Sequence, residues 1–310
     1  MSARLSGRGL AAGAAAFTIW GTLPIYLHEL REVPALQIIA HRIAWSCFFI
    51  LAFMLLRGQL GALRGILTRP ALLGRLVVTA LFITINWLVY VWAVNHGHIV
   101  ETSLGYYINP LVNVVLGIYF LHERLNRLQW TAVALAAIAV LFLTFEAGRP
   151  PWIALTLAMS FSLYGLLRKV MSVEALPGLA TETLVLLPVA AGYLIWCEHA
   201  GSGALGHANL ETNLLLVGAG LVTALPLFLF AYAARLLPYS TVGVLQYIGP
   251  SLQLLSGVLL YHEPFAGARA VGFALIWTAL FLYAVDGLRT ARLNNAGARE
   301  KGARPLTATR

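Results

Sequence analysis

Asn109, Pro110 and Asn113 fall near the middle of SLGYYINPLVNVVLGIYFLHE, residues 103–123, a run long enough to cross a bilayer as a helix. Amides at that depth can hydrogen-bond a polar solute. A proline frees the carbonyl one turn back, which then needs a partner or a water-lined cavity. Tyr106, Asn109, Pro110, Asn113 and Gly117 recur at helical spacing on about one face. A second stretch, VGVLQYIGPSLQLLSGVLLYHE (242–263), carries Gln246, Gly249, Pro250, Gln253 and Gly257 in the same register. The chemistry open to two such stripes is non-covalent recognition inside a polar-lined cavity. The competing role is packing, with amides joining helices and Pro and Gly shaping their contacts.

Ionisable residues inside apolar runs are few. Arg42 costs about 2.5–3.5 kcal/mol on insertion scales unless it snorkels or is paired. Its position predicts His41, Asn95 or neighbouring helix ends as partners, and either a gate or charged cavity lip, or a hydrogen-bonding hub, as its role. Glu182 is the carboxylate that could carry a coupling proton, unless it lies at the membrane interface. Glu123 and Glu263 follow histidines in equivalent short turns and are expected to serve helix ends. His28-Glu29, His122-Glu123 and His262-Glu263 each begin like HExxH, but Glu32, Asn126 and Ala266 occupy the fifth position, so no zinc helix forms. With no GxSxG, Walker A or Rossmann fingerprint either, neither an enzyme, a metal site nor a bound cofactor is expected, and this chain alone is no ATP-driven pump.

The elements that would position these residues follow from composition. Sixty per cent of the 310 residues are apolar and 11% are charged, against about 25% charged in an ordinary soluble domain; mean hydropathy is +0.80. The length allows about ten spans of roughly 20 residues with short connections. Apolar runs predict an all-α integral membrane protein with spans near 9–28, 36–56, 72–95, 102–121, 128–145, 151–168, 179–197, 213–235, 240–261 and 269–287. The first run lacks a clear cleavage site and reads as an uncleaved span. With the N-terminus inside, seventeen Lys/Arg fall on the cytoplasmic side and only Arg31, Arg149 and Arg269 outside. Both termini are therefore predicted to be cytoplasmic. That bias accounts for most of the net charge of +9, so nucleic acid is not an expected partner. The basic tail, 288–310, is predicted to be disordered, serving either cytoplasmic retention or contact with anionic lipid. Cys47 and Cys197 form no framework.

At an offset of 140 the two stretches quoted above share six identities in twenty-one positions: Tyr107 with Tyr247, Ile108 with Ile248, Pro110 with Pro250, Gly117 with Gly257, and His122-Glu123 with His262-Glu263. Duplicated halves of five spans, 9–145 and 151–287, enter the membrane with opposite orientation. This inverted repeat suits alternating access around a site near the midplane. Span three adds Asn86, Trp87, Tyr90, Trp92 and Asn95, span one adds Trp20, Thr22 and Tyr26, and span six adds Tyr164. Trp20 and Tyr164, each followed by Gly, are candidate counterparts that line an aromatic cavity or pack in the core.

The segments HRIAWS (41–46), NWLVYVWAVNHGH (86–98), SLGYYINPLVN (103–113), SFSLYGLLRK (160–169), ETLVLLP (182–188), TALPLFLFAYAARLLPYSTVGVLQYIGP (223–250) and FALIWTALFLYAVD (273–286) resemble the EamA branch of the drug/metabolite transporter superfamily, in its chloramphenicol-sensitive permease group, RarD. The resemblance covers about residues 10–288. It implies a ten-helix carrier of the bacterial inner membrane, made of two EamA repeats, exporting or exchanging small organic solutes: amino-acid-like compounds, metabolites or drugs. Many such sequences carry Glu five residues before the His-Arg pair of span two, where this chain has Gln37, which removes one possible proton carrier. Together these readings predict a secondary transporter with substrate contacts from Trp20, Asn86, Tyr106, Tyr107, Asn109, Asn113, Tyr164, Gln246, Tyr247 and Gln253. Arg42 is the predicted gate. Pro110, Gly117, Pro250 and Gly257 are predicted hinges, Glu182 a proton-coupling residue, and membrane lipid the surround. The competing class is a non-transporting membrane scaffold or sensor that retains the transporter fold.

Overall fold

The computed structural model describes residues 6–122, 126–171, 173–237, 245–283 and 285, and among them the regular structure is helical throughout. In chain order the helices are α1 (Gly7–Gly21), α2 (Leu23–His28), α3 (Ala35–Leu56), α4 (Leu60–Leu67), α5 (Pro70–Asn95), α6 (Ile99–Leu121), α7 (Arg127–Ala147), α8 (Trp152–Val170), α9 (Ala175–His199) and α10 (Leu210–Leu236). They are followed by α11 (Ile248–Leu260) and α12 (Ala268–Tyr283). Glu123 and the tail 288–310 lie outside the described residues.

Seven of these helical segments are long and apolar enough to cross a membrane: Gly7–His28, α3, α5, Ile99–Phe120, α7, α9 and Leu210–Phe230. Three shorter apolar helices, Trp152–Arg168, Ile248–Leu260 and Ala268–Tyr283, lie where spans six, nine and ten are expected. Large apolar side chains such as Leu56, Phe145, Val189 and Phe281 are exposed. A water-soluble surface rarely tolerates so much exposed apolar area, whereas lipid does.

Several boundaries depart from the sequence reading. The first span is divided at Thr22, and Pro24 sits in the first turn of α2, where its missing N–H costs nothing. The connection after span two contains α4, whose Leu63 and Ile66 are buried. Its pattern LGALRGIL buries one face despite the flanking polar residues. In span nine the break precedes the proline: Gln246 and Tyr247 form a turn, α11 starts at Ile248, and Pro250 lies in its first turn. Pro110, by contrast, is inside α6, which runs on through it. The last five residues of α11, Ser256–Leu260, widen into a π-helical turn.

Helix ends are closed by local chemistry. Ser6 and Asn209 cap α1 and α10, and Asn126 with Gln129 makes a reciprocal capping box on α7. His122 and His262, the equivalent residues of the duplicated stretch, are the two non-glycine residues with positive φ among the described residues, at 54° and 52°. Both Glu101 and Glu263 act at helix starts: Glu263 accepts from the N–H groups of Ile99 (2.6 Å) and Val100 (2.8 Å), and Glu101 from that of Ile153 (3.2 Å).

Packing runs mainly between the two halves of the chain. α1 lies on α10 and α11, α3 on α9 and α10, α5 on α8 and α9, and α6 on α8 and α11. Gly105 lets α6 approach α8 closely, since a Cβ there would come 2.8 Å from the Ala154 carbonyl. Only 22% of the most apolar window of α7 is buried, so this helix lies at the periphery.

Candidate solute-binding cavity

The α3–α5–α6 side of the first half and the α8–α11 side of the second enclose a cavity of about 350 Å³. Phe17, Trp20, Trp87, Phe161, Phe228 and Phe230 form its aromatic wall, and Arg42, Asn86, Asn109, Arg168, Thr223 and Gln253 are among its polar residues. Among the described residues, α7 and α12 contribute nothing to the lining. The size and the sparse polar groups on an apolar wall fit a small-molecule site.

Asn86 is buried on α5; its Nδ2 donates to the Leu157 carbonyl (3.0 Å) and to Ser160 Oγ (3.1 Å) of α8. Tyr106 OH donates to Asn86 Oδ1 at 3.3 Å. On the next turn of α6, Asn109 Oδ1 accepts from Ser162 Oγ. Gln253 Nε2 donates to the Trp20 carbonyl (3.3 Å), which ties α11 to α1 and leaves Gln253 Oε1 without a partner. The amides therefore join helices and line the cavity at once.

Arg42 is 4% exposed. Its Nε donates to Thr223 Oγ1 of α10 at 2.6 Å, and the guanidinium lies 4.7 Å from the centroid of the Trp87 ring. These partners replace the predicted His41 and Asn95. Adjacent helical residues point about 100° apart, so His41 cannot share the direction of Arg42. Thr223 is a lone hydroxyl in an apolar run of α10, a signal that the sequence reading did not use. Arg42 is among the residues that line the cavity.

Glu182 is 1% exposed. It accepts from Thr79 Oγ1 (2.6 Å) and Tyr164 OH (3.3 Å), and Arg168 Nη1 stands 3.8 Å away. Tyr164 and Arg168 face the cavity, while Glu182 stands behind them.

Of the other predicted contacts, Trp20, Tyr106, Tyr164 and Gln246 line the cavity together with Pro250. Tyr107 and Tyr247 do not; their rings stack at 6.3 Å and Tyr107 OH bonds Ser251 Oγ at 2.6 Å, so they form part of the α6–α11 contact. Asn113, one turn along α6 from Asn109, is exposed and is not among the lining residues. Pro110 is half-buried and Gly117 buried. Gly257 faces the start of α6, where an added Cβ would come 3.0 Å from Val100 Cγ2. Gln37 is not in the cavity either; it accepts from Ala204 N–H (3.0 Å) and donates to the Ser202 carbonyl (2.8 Å), clasping a loop.

Residues 7–145 match the EamA-like transporter family. Full-length likeness is stronger. An uncharacterized transporter of Vibrio cholerae is 46% identical over 282 residues, covering 91% of this chain and 93% of its own. Protein RarD of Escherichia coli K12 is 44% identical over 292 residues, covering 94% and 99%. The chain belongs to the EamA family. Within the drug/metabolite transporter superfamily this EamA protein groups with the RarD proteins. It is 34% identical to the chloramphenicol-sensitive protein RarD of Pseudomonas aeruginosa, over 93% of this chain and 97% of that one. A solved crystal structure superposes on 88% of the chain and 96% of its own length with a TM-score of 0.59 at 23% identity, a likeness of fold. The EamA protein is thus a membrane transporter of the drug/metabolite type.

Proposed function

We propose that this EamA protein is a secondary carrier of small organic solutes in the bacterial inner membrane, working by alternating access between two inverted five-helix repeats, 9–145 and 151–287. The carrying observation is the cavity and its unmet hydrogen-bonding groups. Of the five buried side-chain atoms without a partner among the described residues, four belong to lining residues: Arg42, Tyr90, Arg168 and Gln253. Buried polar groups are nearly always satisfied in folded proteins. A cluster of orphans around one cavity therefore points to water and solute as the missing partners.

The repeat reading is supported by the packing pairs. Exchanging each span with the one five positions later turns α1–α10 into α8–α5, α6–α8 into α11–α1 and α3–α10 into α9–α5, while α3–α9 and α6–α11 return to themselves. All of these pairs occur. Connections that ten alternating spans assign to one side also meet: Gly97, Arg149, Glu263 and Arg269 line one small cleft. The bias of the basic residues supports a cytoplasmic side for both termini. Trp20, Asn86, Tyr106, Asn109, Tyr164, Gln246 and Gln253 are the proposed solute contacts. Pro110, Gly117, Pro250 and Gly257 are the proposed pivots, and Glu182, coupled to the cavity through Tyr164 and Arg168, is the proposed proton site.

Counterflow in proteoliposomes preloaded with mixed amino acids, other metabolites and chloramphenicol, read by mass spectrometry, tests the proposal. Saturable exchange is expected, reduced about tenfold or more by Asn109→Leu at unchanged folded yield and left intact by Asn113→Leu. Folded protein that exchanges nothing above empty liposomes would sink the carrier reading in favour of a non-transporting membrane scaffold.

A further inference from the structure

We infer that the solute is an organic monoanion whose carboxylate is held by Arg42. The inference deepens the carrier reading and rests on the cavity being the solute site. Two arginines line the cavity, and they differ in company. Arg168 has Glu182 at 3.8 Å, so that pair cancels. Arg42 has no carboxylate partner among the described residues; it is held by a neutral hydroxyl and an aromatic face, and its Nη1 has no hydrogen-bond acceptor. The cavity wall thus carries one uncompensated positive charge, 4% exposed, and burial of such a charge is costly without an anion.

The neighbouring donors fit the same ligand group. Tyr90 OH is buried and unpartnered beside Arg42, whereas Tyr106 OH is already given to Asn86. A guanidinium N–H and a phenol O–H can meet the two oxygens of one carboxylate. Elsewhere in the lining, Gln253 Oε1 has no partner and can accept a hydrogen bond, which suits a hydroxyl or N–H donor on the same solute. The aromatic walls ask for an apolar body, and a cavity of about 350 Å³ falls at the small end of the range that holds small organic molecules. The class is therefore an aromatic or branched aliphatic carboxylate bearing one hydrogen-bond donor.

The test is thermal unfolding of the purified full chain, followed by tryptophan fluorescence, with mandelate and 3-phenyllactate, each bearing one hydroxyl donor, set against their amides. The carboxylates should protect with apparent Kd values about tenfold lower than the amides. Arg42→Gln should abolish that preference, and Arg42→Lys should keep part of it as a point charge without the fork. In the absence of solute, Arg42→Met should melt no lower than the wild type, since Thr223 Oγ1 still donates to the Ala219 carbonyl. Equal protection by amides, or no protection by any carboxylate, would overturn the inference. So would an Arg42→Met protein that melts lower while carboxylates still protect it, or chloride that protects fully with carboxylates adding nothing. Counterflow of a neutral solute without carboxylate preference leaves the carrier reading standing and this inference lost; carboxylate preference without counterflow does the reverse.

Discussion

Glu182 is held by three neighbours at once, Thr79, Tyr164 and Arg168, and each limits what a substitution can do. Glu182→Leu leaves Arg168 without its counter-charge and the Tyr164 hydroxyl without its acceptor, while Thr79 keeps the Leu76 carbonyl, so a loss of about 3 kcal/mol in stability is expected, read by thermal unfolding. Glu182→Gln keeps an acceptor for Thr79 and removes only the charge. If the carboxylate couples proton movement to transport, the Gln variant should retain counterflow and lose accumulation driven by an imposed pH gradient. Gradient-driven uptake that persists in this variant would put the coupling elsewhere. Gln37 offers a contrast. Its amide donates to one carbonyl and accepts from one N–H of the 202–204 loop, a pairing that a carboxylate cannot reproduce.

His122, His262 and Glu263 act at helix ends. His122 ends α6 in the left-handed conformation with its N–H on the Gly117 carbonyl, and the Gly257 carbonyl accepts from the Glu263 N–H. Left-handed backbone is costly for a side chain with a Cβ and free of that cost for glycine. Both histidines are exposed, so His122→Gly and His262→Gly should each raise stability, by about 0.5–1 kcal/mol. Destabilisation in either variant would mean that the imidazole does more than end a helix. The carboxylate of Glu263 caps α6 from across the fold. Glu263→Ala should cost about 2 kcal/mol and speed hydrogen exchange at the Ile99 and Val100 amides above all others, with Glu263→Gln in between. Unchanged exchange at those two amides would remove the capping role.

For the molecule as a whole, the ten-span reading makes opposite faces of exposed connections. Gln59 and Ser202 are exposed, and the two native cysteines, Cys47 and Cys197, are buried, so wild-type background labelling should be low. In intact cells Ser202→Cys should react with a membrane-impermeant maleimide, and Gln59→Cys only after permeabilisation. Reaction of both from one side would contradict the alternation on which the inverted repeat depends.

Composition and hydropathy alone determined that this chain lives in lipid, because a long apolar run has one stable solution there: a helix that satisfies its own backbone. The likeness between residues 103–123 and 243–263 was equally legible, since both stretches carry the Pro, the Gly and the His-Glu ending. The polar stripes were legible as stripes, but a helical spacing cannot say which residues on a broad face reach a neighbour. Asn109 turned inward onto Ser162, Asn113 turned out, and Tyr107 and Tyr247 met each other. The partner of Arg42 was beyond sequence reasoning for the same reason: Thr223 is 181 residues away, and only the packing of α3 on α10 brings the two together. Local chemistry is written in neighbouring residues, whereas a cavity exists only where distant helices fail to touch, and that gap is a property of the tertiary structure.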